Sequence, residues 1–286
     1  MAGPPRHPPS ASGTNNGESK TSSLPLHPAL FDQIGICNSV VYCRSSKMDA
    51  EYHRLAETIR DQANISLKPR YIVAIAGIPG SGKTTTAAAV VNRLNSLNEP
   101  NVQATLLSMD GFHLSRRELD ELPNPKEAHI RRGAPWTFDV SRFVTFMHKL
   151  RQWVDNTPLP KEGKWPSDHV LSAPTFDHEA KDPVEEGISI TPDASIIIVE
   201  GNYLLLNEPG WRDLATLCDY RIFVETDLLE ARDRTAKRHV QAGIEKTLED
   251  GYRRVDTNDY LNGISIQEKL IVPDMVVKSV SLHADA

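Results

Sequence analysis

The sequence predicts an α/β fold built on a doubly wound, mostly parallel sheet. Three observations predict it. Continuous apolar runs of strand length alternate with segments of helical periodicity. The first run, residues 71–77, breaks into glycines and resumes directly as a helix. Two later runs end on an acidic residue followed by glycine, at Asp110 and Glu200.

The chain has 286 residues, enough for one large α/β domain with insertions or two small ones. At 39% hydrophobic and 24% charged residues it has an ordinary soluble composition. A net charge of -6 argues against a general nucleic-acid binder, which carries a basic surplus or stripe. No apolar run reaches the length that spans a bilayer, so no membrane segment is expected. Cys37, Cys43 and Cys218 show no metal-ligand spacing and read as buried or incidental thiols in a reducing compartment.

Residues 1–47 are rich in Pro, Ser, Gly and Asn and poor in apolar side chains. Such a segment cannot bury enough surface to offset ordering entropy, so it reads as a disordered low-complexity tail. It lacks the apolar core of a secretory signal, has few arginines and contains Glu18, which leaves the cytoplasm as the expected location. Met48 is an alternative start. Residues 48–286 form the expected folded domain. It opens on a helix whose Tyr52, Leu55, Ala56, Ile59 and Ala63 share one face. Pro69 ends that helix, and "YIVAIAG" follows as a central parallel strand covered on both faces. Further strands are expected in "VQATLLSMD", "ASIIIVEG", "DYRIFVET" and "DMVVKSV". Helices are expected over 84–97, 139–155 and 227–242, with Asp139 and Asp227 as N-caps. The aperiodic stretch 156–187 reads as a long excursion, with room for a hairpin, ahead of the third strand.

The break after the first strand, "GIPGSGKT", fits G-x-x-x-x-G-K-S/T at Gly77, Gly82, Lys83 and Thr84. Glycines let the backbone curl so that N–H groups point at a β-phosphate, and the following helix N-terminus adds partial positive charge. Gly77, Ile78, Pro79, Gly80, Ser81, Gly82, Lys83, Thr84 and Thr85 are therefore the expected ATP-binding residues. Lys83 would bridge the β- and γ-phosphates and the Thr84 hydroxyl would bind Mg²⁺. In open α/β sheets ligands bind beyond the carboxyl ends of strands, where Asp110 and Glu200 sit. The glycine after each lets the chain turn sharply and leaves the carboxylate facing the crevice. Asp-Gly alone is also a common turn pair, and Glu200 alone could be a solvated strand end. Together with the phosphate loop, the two carboxylates supply what phosphoryl transfer needs: one group to take the acceptor proton and one to hold Mg²⁺.

"SMDGFH", "RRGAPWTFD", "PTFDHEAKDP", "IIIVEGNYLLL" and "EARDRTAKRHVQAG" follow the phosphate loop in the order seen in the phosphoribulokinase/uridine kinase family. The chain resembles that family over about residues 50–280, closest in motifs to pantothenate-kinase-like and fructose-transport-system-kinase-like members. The Asp-Ser-Phe-Tyr type turn of uridine kinases is absent. The resemblance implies a P-loop NTP hydrolase fold with a helical lid (about 228–262) and an acceptor-binding insertion (about 111–187). It implies Asp110 as catalytic base and Glu200 as Mg²⁺ partner, with an exchange of these roles left open. It makes Arg238 the lid arginine that closes over the transferring phosphate, with Arg234, on the same helix face, second and Arg232 nearby. A solvated basic face salted with Glu230 and Asp233 is the bland alternative.

His113, Arg132, His178, Asn202 and Tyr203 lie in segments that should wall the acceptor site, with Arg131, Trp136 and Phe138 beside them. Trp136 and Phe138 read equally well as core. The expected activity is a kinase that uses ATP and Mg²⁺ to phosphorylate a hydroxyl of a small pantothenate-, sugar- or nucleoside-like metabolite. Lys83, Asp110, Arg234 and Arg238 are the expected catalytic set. The alternative is a nucleotide-binding NTPase switch or scaffold, which needs no acceptor pocket. A small-molecule substrate is the expected partner, without nucleic acid or membrane, and a homodimer is left open.

Overall fold

The computed structural model describes residues 37–97, 102–160 and 169–279, with side chains from Met48 onward. Residues 1–36 of the expected tail lie outside the described residues. Helix α1, Cys37–Ile65, begins upstream of the expected boundary at Met48. Val40–Ala286 form one compact unit, which carries both sheets and the candidate site.

Tyr71–Gly77 forms β1, Ala104–Ser108 β2, Ile196–Gly201 β5, Tyr220–Glu225 β6 and Met275–Lys278 β7. They make one sheet in the order β2-β5-β1-β6-β7, and every pair is parallel. β3 (Leu171–Asp177) and β4 (Asp182–Ile190) form a separate antiparallel hairpin, the excursion expected before the third strand of the main sheet.

β1 and β5 are apolar throughout because both faces of the sheet are covered. Val73, Ile75, Ile196, Ile198, Ile222 and Val224 face one layer, formed by α1 and α2 (Lys83–Ser96) through Leu55, Ile59, Ala87, Val90 and Leu94. Ile72, Ala74, Ile197, Val199 and Phe223 face the other, where α5 (Val140–Asn156) contributes Phe143, Met147, Leu150 and Val154. The predicted caps form: Asp139 accepts from the Arg142 N–H at 2.9 Å, and Asp227 accepts from the Leu229 and Glu230 N–H groups at 2.9 and 3.1 Å.

Four helices were not delimited in the sequence. α3 (Arg116–Asp120) and α4 (Pro125–Ile130) follow β2, and α7 (Leu248–Thr257) and α8 (Asp259–Glu268) follow α6 (Leu228–Gln241). α7 lies, and α8 begins, within the expected helical lid. α3 and α4 are too short to show a period, but each is capped: Ser115 and Glu118 form a capping box, and Asn124 caps α4 ahead of Pro125. α7 buries Gly251 and Val255, on the same face as Leu248 and Tyr252. Cys218 is a free thiol that burial pushes up to about 12, which suits the inert role expected of it. No helix among the described residues is long and apolar enough to cross a membrane.

Candidate active site

The parallel register sets the heights of the site. Ser108 pairs with Glu200, and Ile75 pairs with Glu200 from the other side, so the end of β2, the end of β5 and the start of the phosphate loop lie level. The loop runs from Gly77 to the first turn of α2. Gly80 and Gly82 take φ of 81° and 85°, left-handed values that glycine adopts without strain. Gly82 is the N-cap of α2 and offers no side chain to it, so the first-turn N–H groups are left for an anion. Thr84 and Thr85 are exposed and Lys83 is half-buried.

Glu200 is 2% exposed. Its carboxylate accepts from the Ser108 hydroxyl at 2.6 Å and the Thr84 hydroxyl at 3.2 Å. Burial pushes its carboxyl above the usual range; Lys83 pulls it back and the Asp110 charge adds to the rise. Glu200, Thr84 and Ser108 thus form a set of hard oxygen donors beside the phosphate loop, the chemistry Mg²⁺ prefers.

Asp110 lies just past β2 in a 3₁₀ turn, Met109–Phe112, whose N-cap Ser108 accepts from the Asp110 N–H at 3.3 Å. Its side chain is 38% exposed, unlike that of Glu200. His113 stands behind it. The His113 Nδ1–H donates to the Asp110 carbonyl at 2.8 Å, which fixes the tautomer, and the ring nitrogen is 3.9 Å from the Asp110 carboxylate. Burial pushes the His113 imidazole below its usual value against the pull of Asp110. The glycines after the two carboxylates have a different reason from the expected sharp turn, since neither has positive φ. A Cβ on Gly201 would lie 2.6 Å from Met109 Cβ, and one on Gly111 would collide with the Pro174 carbonyl. Both are glycines because another segment passes against them.

Over Asp110 the hairpin supplies Phe176, whose ring centroid lies 4.9 Å from that of His113 and 5.3 Å from that of His178. Arg132 stacks on the same ring at 5.3 Å. Its Nη2 donates to the Leu114 carbonyl at 2.8 Å and to Asp182 at 3.3 Å. Asn202 is half-buried just past β5, with its Oδ1 unpartnered. Tyr203 departs from expectation. It is 0% exposed, packs against Phe138 and Trp211, and donates its hydroxyl to the Gly133 carbonyl at 2.5 Å. It braces the segment that carries Arg132 and has no face left for an acceptor. Arg131 likewise turns away, donating to Asn258 and Asn262 at 3.2 Å each. Phe138 is core beneath His113, whereas Trp136 is 47% exposed.

The three arginines of α6 separate. Arg232 pairs with Asp256 and lies 4.3 Å over the Tyr252 ring, a clamp between α6 and α7. Arg234 donates to Glu230 at 2.6 Å, Ser279 at 2.8 Å and the Gly80 carbonyl at 3.4 Å, so it braces the phosphate loop. Arg238, one turn further, is exposed. Ser108, Phe176, Asp182 and Ser279 are site residues that sequence reasoning missed; only Ser108, at a strand end two residues before Asp110, carried a readable signal. A cavity of about 370 Å³, lined by Glu225, Thr226, Asp227, Leu228, Gln267, Lys278 and Ser279, opens at the carboxyl ends of β6 and β7.

The comparisons with known proteins agree with this geometry. The model of the phosphoribulokinase / uridine kinase family matches residues 72–278. A protein of Schizosaccharomyces pombe with the name "Putative uridine kinase" is 35% identical over 237 residues, covering 83% of this chain and 92% of its own. The ATP-dependent kinase YFH7 of Lachancea thermotolerans is 34% identical over 229 residues, and the match spans 72% of this chain and 64% of that relative. Among solved structures, a "putative fructose transport system kinase" from Silicibacter sp. TM1040 superposes with a TM-score of 0.66 at 27% identity, over 79% of this chain and 98% of that one. On the family model, the relatives and the site together, the chain belongs to the phosphoribulokinase/uridine kinase family and has the fold of P-loop kinases.

Proposed function

We propose that the chain is a kinase that transfers the γ-phosphate of ATP to a hydroxyl of a small metabolite. The observation that carries this reading is the contrast between two carboxylates at neighbouring strand ends. Asp110 is 38% exposed beside the phosphate loop, while Glu200 is buried and accepts two hydroxyl hydrogen bonds. The accessible carboxylate is the one an acceptor hydroxyl can reach, so Asp110 takes the proton as the oxygen attacks. The buried one orients Thr84, and Thr84 and Glu200 are the residues that would hold Mg²⁺, which when bound neutralises β- and γ-phosphate charge. The α2 N-terminus and Lys83 seat the phosphates, and the cavity beside Ser279 takes the nucleoside end. Arg238 is the residue free to close over the phosphate, since Arg234 is occupied by Gly80, Ser279 and Glu230. A closed lid excludes water as a competing acceptor.

The test is ADP release from Mg-ATP by the full chain with pantothenate, uridine, cytidine, nicotinamide riboside, fructose, ribulose 5-phosphate, glycerate or water alone. The kinase reading expects release that depends on one acceptor class. Release that no acceptor stimulates, and that persists in Asp110→Asn, would instead identify an NTPase switch.

A further inference from the structure

Resting on the kinase reading above, we propose that the acceptor is an anion: an alcohol bearing a carboxylate or a phosphate, gripped by Arg132 and His178 while its hydroxyl faces Asp110. One aromatic ring, Phe176, gathers a guanidinium and two imidazoles next to Asp110: Arg132 at 5.3 Å, His113 at 4.9 Å and His178 at 5.3 Å. Stacking on an aromatic face strips water from a guanidinium and holds its fork in one plane, the arrangement that suits a carboxylate or phosphate.

Arg132 is only partly compensated. Among the described residues Asp182 is its one ion-pair partner, at 3.3 Å, and that carboxylate also accepts the Arg116 N–H at 2.7 Å. The Arg116 charge acts on Arg132 as well. The Arg132 Nε is buried without a partner among the described residues, which leaves a donor for a bound oxygen. A neutral sugar or nucleoside would leave the Arg132 guanidinium with Asp182 as its anion. An anionic alcohol would supply a second one and would be held by its charge end with its hydroxyl toward Asp110.

The test incubates the full chain with Mg-ATP labelled in its γ-phosphate and a deproteinised yeast metabolite extract, and identifies labelled esters by mass. The expected product is an ester of a carboxylate- or phosphate-bearing alcohol. Prior phosphatase treatment of the extract abolishes it if the acceptor carries phosphate and spares it if the acceptor carries carboxylate. With that acceptor purified, Arg132→Gln and His178→Gln each raise its KM about tenfold or more and leave the KM for ATP unchanged, and Arg132→Lys recovers part of the loss. His178 is on an exposed turn, so its variant keeps the test sharp even where Arg132→Gln does not fold. A labelled ester of a neutral acceptor, or an anionic acceptor whose KM neither variant moves, overturns the proposal and leaves the kinase reading standing. Labelled orthophosphate with no labelled ester overturns the kinase reading itself.

Discussion

At the scale of single residues, the proposed division of labour rests on burial. Two carboxylates of similar chemistry sit at level strand ends, yet one is wrapped by the Ser108 and Thr84 hydroxyls and the other is open. The same contrast sets the pH response. His113 is held below the ordinary histidine value of 6.5 by burial, with Asp110 pulling the other way and Arg132 and His178 pushing it further down. A histidine with a lowered folded pKa leaves the unfolded chain as the better proton binder, so its contribution to stability is full above about 6.5 and is lost as pH falls below that value and through the lower folded one. Thermal melts across pH 7.5 to 5.5 should therefore show a steeper decline for the native chain than for His113→Gln. Equal slopes would mean that His113 is not buried as described. Asp110, Glu200 and the phosphate loop were legible because each is a short motif at a strand end. Tyr203 was misjudged because an aromatic after Gly-Asn looks like a crevice residue in one dimension. Only the fold reveals that the Gly133 carbonyl takes its hydroxyl and that Phe138 and Trp211 enclose its ring.

At the scale of elements, the phosphate loop is held from both sides. Thr226 of the β6–α6 connection donates to the Ser81 carbonyl at 3.4 Å, and Arg234 of α6 reaches the Gly80 carbonyl. A Cβ at Gly80 would collide with the Ala231 carbonyl of α6, whereas at Gly82 the nearest atom is Ser279 Oγ at 3.5 Å. Both positions have positive φ, so both alanine variants are strained, but only one also has to move a helix. Gly82→Ala should cost about 1–2 kcal/mol and Gly80→Ala about 3 kcal/mol or more in urea unfolding, and the reverse order would contradict the packing described. The central strands were readable because two-sided burial leaves an unbroken apolar run, and α5 and α6 because Asp139 and Asp227 announce their starts. α7 was not. Its Leu248, Tyr252 and Val255 do share one face, but over only three turns, and its contact with α6 adds Gly251, against the Ala236 carbonyl, and the ion pair of Arg232 with Asp256.

At the scale of the whole molecule, the phosphate site stands on polar pins as well as on the apolar layers. Asp219 is buried at the amino end of β6, where it accepts from the Ile72 N–H of β1 at 2.8 Å and from Arg151 of α5 at 2.8 Å, and pairs with Lys68. Burial alone would raise its carboxyl, but the Ile72 N–H, Lys68 and Arg151 hold it below the usual range. Asp219→Ala leaves the half-buried Arg151 with Asp155, at 2.7 Å, as its one acidic partner among the described residues, and should cost about 3 kcal/mol in chemical unfolding. A loss below about 1 kcal/mol would mean that solvent screens the pair. These pins lie at the end of the sheet opposite the phosphate loop, so that variant should lose stability while the remaining folded protein still binds nucleotide. The central claim concerns chemistry at the other end. Its most direct test compares Asp110→Asn with the native chain, measuring Mg-ATP affinity by calorimetry and turnover with the best acceptor. The account predicts unchanged nucleotide affinity and a kcat lowered about 10²–10⁴-fold. Turnover within a factor of about 3 of the native rate, a change far below that of a lost general base, would contradict it.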